Sequence, residues 1–102
     1  MKIGYIRVST GEQNNDLQIV ALKTIGCELF FKDTATRTNA KRSQLQKCFR
    51  SLNKGDTLAV YKLDRLGRSL GDIISLLDDL KARGIAFQSV TEAIDTTTDL
   101  VN

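Results

Sequence analysis

Short runs of β-forming residues alternate with amphipathic helical segments along this 102-residue chain, and that alternation limits the folds open to it. Residues 2–8 alternate in polarity and are rich in β-formers, which predicts a first strand. Leu17, Val20, Ala21 and Ile25 recur at helical spacing, predicting a helix over 13–25 that Gly26 ends. Glu28 to Lys32, with Leu29, Phe30 and Phe31, reads as a second strand. The stretch 33–42 is polar and threonine-rich without periodicity, and predicts a mobile loop. Leu45, Cys48, Phe49 and Leu52 lie at i, i+3, i+4 and i+7, marking a second helix closed by Gly55-Asp56. Residues 57–63 predict a third strand through Leu58, Val60 and Leu63.

Ser69 and Asp72 have capping-box spacing ahead of a third helix. Leu70, Ile73, Ile74, Leu77 and Leu80 are expected along one face of it, and Gly84 is placed to terminate it. Residues 85–90 predict a fourth strand. The polar tail 91–102 reads as an unordered end or an extra edge strand.

A βαβαβαβ order implies an α/β fold with a largely parallel central sheet. Right-handed crossovers then put helices on both faces, giving three layers, with expected strand order 2-1-3-4. No internal repeat or low-complexity tract interrupts the chain, so residues 1–102 are expected to form a single domain.

Bulk properties narrow the function classes. No run approaches the ~18 apolar residues of a membrane span, and Met1-Lys2 leads straight into a strand rather than a signal peptide. A cytoplasmic location is the resulting expectation. Cys27 and Cys48 lack metal-ligand spacing and read as reduced thiols in or near the core. There is no histidine, which removes Ser-His-Asp triads and most transition-metal sites. The net charge is only +3, yet Lys32 to Lys54 carries seven basic residues against Asp33 alone. Such a segment fits a polyanionic partner or an ordinary solvated face.

Two runs carry candidate chemistry: Gly4-Tyr5-Ile6-Arg7-Val8-Ser9-Thr10 and Lys62-Leu63-Asp64-Arg65-Leu66-Gly67-Arg68-Ser69. In open α/β sheets, ligands bind at the carboxyl ends of strands where the strand order reverses. With order 2-1-3-4 that point lies between strands one and three. Arg7 and Ser9 end the first, and Asp64, Arg65 and Arg68 follow the third. Guanidinium forks match phosphate oxygens bidentately and stay charged at any working pH. Ser9 could then act as a nucleophile on a phosphodiester. No base for Ser9 is evident, although an arginine or Asp64 could assist.

Plainer readings stand beside these. Ser9-Thr10-Gly11-Glu12 also fits a capping box. Asp64-Arg65 also fits a turn ion pair, Arg68 a solvated loop charge, and Gln13 and Gln18 surface helix positions. Arg7 is harder to set aside, because an unpaired charge in an apolar strand is expensive and calls for an anion.

Together, GYIRVST, DLQ at Asp16–Gln18, GDTL at Gly55–Leu58 and KLDRLGRS closely resemble the serine recombinase family of resolvases and DNA invertases, with a texture nearer the invertases. The resemblance covers nearly the whole chain. It implies a resolvase-like catalytic domain for site-specific DNA recombination. Ser9 would attack DNA and become linked to a 5′-phosphate. Arg7, Arg65 and Arg68 would hold the scissile phosphate. Asp64 would orient those arginines or serve the leaving oxygen's proton. Tyr5, Gln13, Gln18 and Arg42 match supporting positions near the site. The resemblance implies double-stranded DNA as partner, dimers that pair into a synaptic tetramer, and a bacterial or phage-type setting on mobile DNA. It implies no cofactor, neither metal nor ATP, because the phosphoserine bond conserves the energy of the broken linkage.

Two departures accompany it. Many members carry a Ser-Gly pair near the position of Ala35-Thr36-Arg37, which this chain lacks. Members also continue into a long dimerisation helix and a helix-turn-helix domain that reads the DNA site. A chain ending at Asn102 is thus expected to be a catalytic core that is monomeric or weakly associating and, alone, weakly active or inactive. A non-catalytic module that joins mixed oligomers is a second reading. A phosphate-binding regulator of the α/β signalling type is a third, but it would need acidic residues where the first strand ends in Arg7 and Ser9.

Overall fold

A computed structural model describes residues 1–9, 15–35, 43–63, 66–67, 69–92 and 94–95. Strands β1 (Lys2–Ser9), β2 (Leu29–Ala35), β3 (Thr57–Val60), β4 (Ala86–Ser89) and β5 (Ile94–Asp95) alternate with helices α1 (Asn15–Thr24), α2 (Ser43–Ser51) and α3 (Leu70–Ala82), except that β5 follows β4 directly. They form one sheet ordered β2-β1-β3-β4-β5. The first four strands are parallel, in the expected order, and β5 joins the β4 edge antiparallel. The edge-strand expectation for the tail therefore holds at Ile94–Asp95, and residues 96–102 lie outside the described residues.

Strand alternation divides the core in two. Ile3, Tyr5, Leu58, Val60 and Phe87 pack with Leu45, Cys48 and Leu52 of α2 and Leu80 of α3. Ile6, Val8 and Ala59 face the other way, against Leu22 of α1 and Cys27. Burying each such aliphatic side chain contributes about 1.5–3 kcal/mol. These two clusters are the three layers expected, with α1 on one face of the sheet and α2 and α3 on the other. Both cysteines are free and buried. Burial pushes the Cys27 thiol up to about 11, against a smaller opposing pull from Lys2, and the Cys48 thiol up to about 12.

Four expectations need correction. β2 does not stop at Lys32 but runs to Ala35, so Asp33–Ala35 belong to the sheet rather than to a loop. The rest of the expected loop lies outside the described residues. β3 ends at Val60 rather than Leu63, because the chain turns there: Leu66 N donates to Leu63 O at 3.0 Å. In α1 the inward side is Gln18 and Leu22, while Leu17 and Val20 are more than half exposed. In α3, Leu70 and Ile74 are exposed, and the side packed on the sheet runs through Leu76, Leu77 and Leu80.

The helix ends behave as their residues dictate. Ser69 is the N-cap of α3, and its hydroxyl accepts from Asp72 N at 3.2 Å. Gly84 follows the helix with φ +75°, a left-handed backbone that favours glycine. The Arg83 guanidinium donates to the carbonyls of Phe49 and Leu52, both at 2.9 Å, closing the C-terminal end of α2.

Candidate functional site

β1 carries the first candidate run to the carboxyl edge of the sheet. Tyr5 is fully buried and pairs in register with Phe31 of β2 and Val60 of β3. Arg7, two residues on, is half-buried and pairs with Asp33. Ser9 closes the strand, in register with Ala35. Since β1 is flanked by β2 and β3, its end is the switch point that the topology rule selects.

Asp33 organises this edge, and sequence reasoning missed it. It is only 5% exposed. Its Oδ2 accepts from the Tyr5 hydroxyl at 2.8 Å and from Leu45 N at 3.1 Å, and its Oδ1 accepts from Gln44 N at 3.1 Å. Those two amides lie in the first turn of α2, where helical N–H groups lack intrahelical partners. The first turn of α2 has no acid of its own. Asp33 supplies the negative charge from the neighbouring strand, where the helix dipole favours it. One carboxylate thus joins β1, β2 and α2. The only available signal was its position as the lone acid in a basic segment.

Gln18 corrects its surface reading. It is 2% exposed, and its Nε2 donates to the Arg7 carbonyl at 3.4 Å. The side chain bridges α1 to the backbone of β1 at the arginine itself.

The second run begins where β3 leaves the sheet. Tyr61 O still accepts from Thr91 N at 3.0 Å, and Leu63 N donates to Glu92 Oε1 at 3.2 Å. Beyond it Leu66 is fully buried. A Cβ on Gly67 would stand 2.7 Å from Ile73 Cγ1 and 3.0 Å from Ile73 N, so only glycine fits beside the start of α3. Gln13, Arg42, Asp64, Arg65 and Arg68 lie outside the described residues, as do Glu12 and most of the capping box proposed for Ser9. The fold brings together Tyr5, Arg7, Gln18 and the backbone of Ser9, with Asp33 added.

Comparison with known proteins decides the family. The family model described as "Resolvase, N terminal domain" matches residues 2–101. The chain belongs to that family. The DNA-invertase of Escherichia phage P1 is 53% identical over 100 residues, covering 98% of this chain and 54% of that protein. The serine recombinase gin of Escherichia phage Mu is 51% identical over 100 residues, covering 98% and 52%. This resolvase-family chain thus spans about half the length of the phage relatives it matches. The crystal structure of the N-terminal catalytic domain of TP901-1 integrase superposes with a TM-score of 0.71 at 29% identity, covering 97% of this chain and 84% of that one. Among the described residues, no helix is long and apolar enough to cross a membrane.

Proposed function

We propose that residues 1–102 form the catalytic domain of a serine site-specific DNA recombinase of the invertase or resolvase type. One observation carries this reading. In a resolvase-family fold, Arg7 and Ser9 stand at the carboxyl end of β1, which pairs with β3, and the sequence after β3 supplies Asp64, Arg65 and Arg68.

The chemistry follows from those residue types. The Ser9 oxygen attacks the scissile phosphorus, a bond forms from serine to the 5′-phosphate, and the bond to the 3′-oxygen breaks. The serine proton is lost and the leaving 3′-oxygen gains one. Arg7, Arg65 and Arg68 neutralise charge that grows on the non-bridging oxygens, where removal of one preorganised donor typically costs about 10²–10³ in rate. Asp64 orients the guanidinium groups or carries the proton to the leaving oxygen. Reversal by a 3′-hydroxyl reseals the strand without ATP or a metal. Tyr5 and Gln18 shape the strand that presents Arg7 and Ser9, while Gln13 and Arg42 support the phosphate. Double-stranded DNA is the partner. Dimers and synaptic tetramers form when the chain is extended as in its longer relatives, inside a bacterial or phage-type cytoplasm.

The test is to extend the chain with a dimerisation helix and a DNA-binding domain and to supply DNA bearing that domain's site. A covalent protein–DNA adduct that disappears with Ser9→Ala supports the reading. Equal adduct from Ser9→Ala rejects it. Association with a full-length recombinase without any adduct favours the non-catalytic module.

A further inference from the structure

From the charge on its outer side we infer that α2 is a contact surface for the phosphate backbone of duplex DNA, apart from the sheet edge where Arg7 and Ser9 stand. DNA, rather than another polyanion, follows from the recombinase reading, on which the inference rests. Leu45, Cys48 and Leu52 turn one side of α2 into the core. Lys47 and Arg50, three residues apart, fall on the opposite side, and both are exposed. Lys54 follows in the turn after the helix, also exposed, with its stem against Gly84: a Cβ on Gly84 would stand 2.8 Å from Lys54 Cγ. Half-buried Arg83 adds a cation at the same end through its bonds to Phe49 O and Leu52 O.

No acid offsets this ridge. Residues 43–55 hold three basic residues and no Asp or Glu. The carboxylates near the two ends of α2 are engaged elsewhere. Asp33 is buried and accepts from Tyr5, Gln44 and Leu45, while Asp56 accepts from Asn53 N and the Met1 amino group. α3 differs, because Asp72, Asp78 and Asp79 share it with Lys81, and Asp79 lies 3.8 Å from Arg83. An ordinary solvated face mixes both signs in that way. Among the described residues, Lys47, Arg50 and Lys54 have no ion-pair partner. From Lys47 to Lys54 the ridge spans about 10 Å at helical rise. One strand of a duplex presents a phosphate about every 3.4 Å along its axis, so three cations meet about three phosphates. Phe49 is the one aromatic residue of 43–55 and packs against the core, which leaves the ridge no stacking platform for single strands. α2 starts beside the sheet edge, where Asp33 caps it, and the ridge runs away from that edge. The DNA held there is additional to the scissile phosphate.

The test is fluorescence anisotropy of the 102-residue chain with a labelled duplex of arbitrary sequence, at salt rising fourfold from about 50 mM. Lys47→Gln/Arg50→Gln is compared with Lys23→Gln/Lys32→Gln, which removes the same charge from exposed positions on α1 and β2. Each phosphate contact contributes about 0.9 to the slope of log affinity against log salt. The α2 variant is expected to flatten that slope by about 1.8, so the salt increase weakens it about tenfold less than wild type. Lys54→Gln should flatten it by about 0.9, and the α1/β2 control should keep the wild-type slope. Equal flattening by the two double variants assigns the effect to net charge and overturns the inference. So does an absence of duplex binding by wild type at the lowest salt, or polyglutamate binding as tightly as the duplex. Adduct formation at Ser9 in the extended chain is read separately. An adduct with an unchanged slope in Lys47→Gln/Arg50→Gln sinks the α2 surface alone, and a flattened slope without any adduct sinks the recombinase reading alone.

Discussion

The Tyr5 hydroxyl donates to Asp33 Oδ2 across 2.8 Å inside the sheet, and the same carboxylate caps the first turn of α2. This pair makes the end of β1 a fixed point. Tyr5 lies two residues before Arg7, and Asp33 pairs with Arg7 in register. Removing one partner leaves the other buried with a missing bond, which costs more than the bond's net worth. Tyr5→Phe is expected to lower unfolding stability by about 1–2 kcal/mol, and Asp33→Ala by about 3 kcal/mol because two helix amides also lose their acceptor. Urea unfolding checks the order, and equal losses would mean that the amide bonds contribute little.

Arg83 does for the end of α2 what Asp33 does for its start. Its two bonds to Phe49 O and Leu52 O place a cation at the negative pole of the helix. Arg83→Ala is expected to cost about 1–2 kcal/mol. Arg83→Lys keeps the charge but not the fork, and should recover only part of that. Denaturant midpoints of the two variants measure the difference.

Gly67→Ala places a methyl against the Ile73 side chain and backbone. Because backbone cannot give way cheaply, a loss of about 1–3 kcal/mol is expected. In the extended recombinase, cleavage should fall further than this stability loss explains, since the substitution displaces the segment between Leu66 and Ser69. Single-turnover cleavage at a temperature where the variant is fully folded separates the two effects.

The cysteines set an alkaline limit. Their folded thiols ionise near 11 and 12, against 9.0 for an unperturbed thiol. Above about pH 9 the unfolded state therefore binds fewer protons than the native state, and stability declines as pH rises through the folded values. Below pH 9 this contribution is fully present. Thermal midpoints of wild type should drop more steeply between pH 9 and 11 than those of Cys48→Ala. Parallel slopes would contradict the assignment.

Much of this architecture was legible in the sequence because it rests on local patterns. The Leu45–Leu52 spacing located α2, Ser69 and Asp72 located the start of α3, and strand–helix alternation implied a largely parallel sheet covered by helices. Long-range polar bonds were not legible. Asp33 sits in a stretch that looks like loop, and its acceptors' partners come from β1 and α2. Gln18 is inward because the Arg7 carbonyl offers an acceptor there, which no hydropathy pattern records. The positions of Arg7 and Ser9 on β1 follow from the motif itself, while Gln13, Arg42, Asp64, Arg65 and Arg68 stand on the family resemblance.

The central claim is that Ser9 forms the bond to DNA, and the most direct measurement is the location of that bond. The adduct from the extended recombinase is digested with nuclease and protease, and the peptide that keeps a nucleotide is sequenced by tandem mass spectrometry. The account predicts a 5′-linked phosphate on Ser9 in the peptide that contains Arg7-Val8-Ser9-Thr10 or its cleaved remainder. A nucleotide found on Tyr61, Thr10 or any other side chain would contradict it.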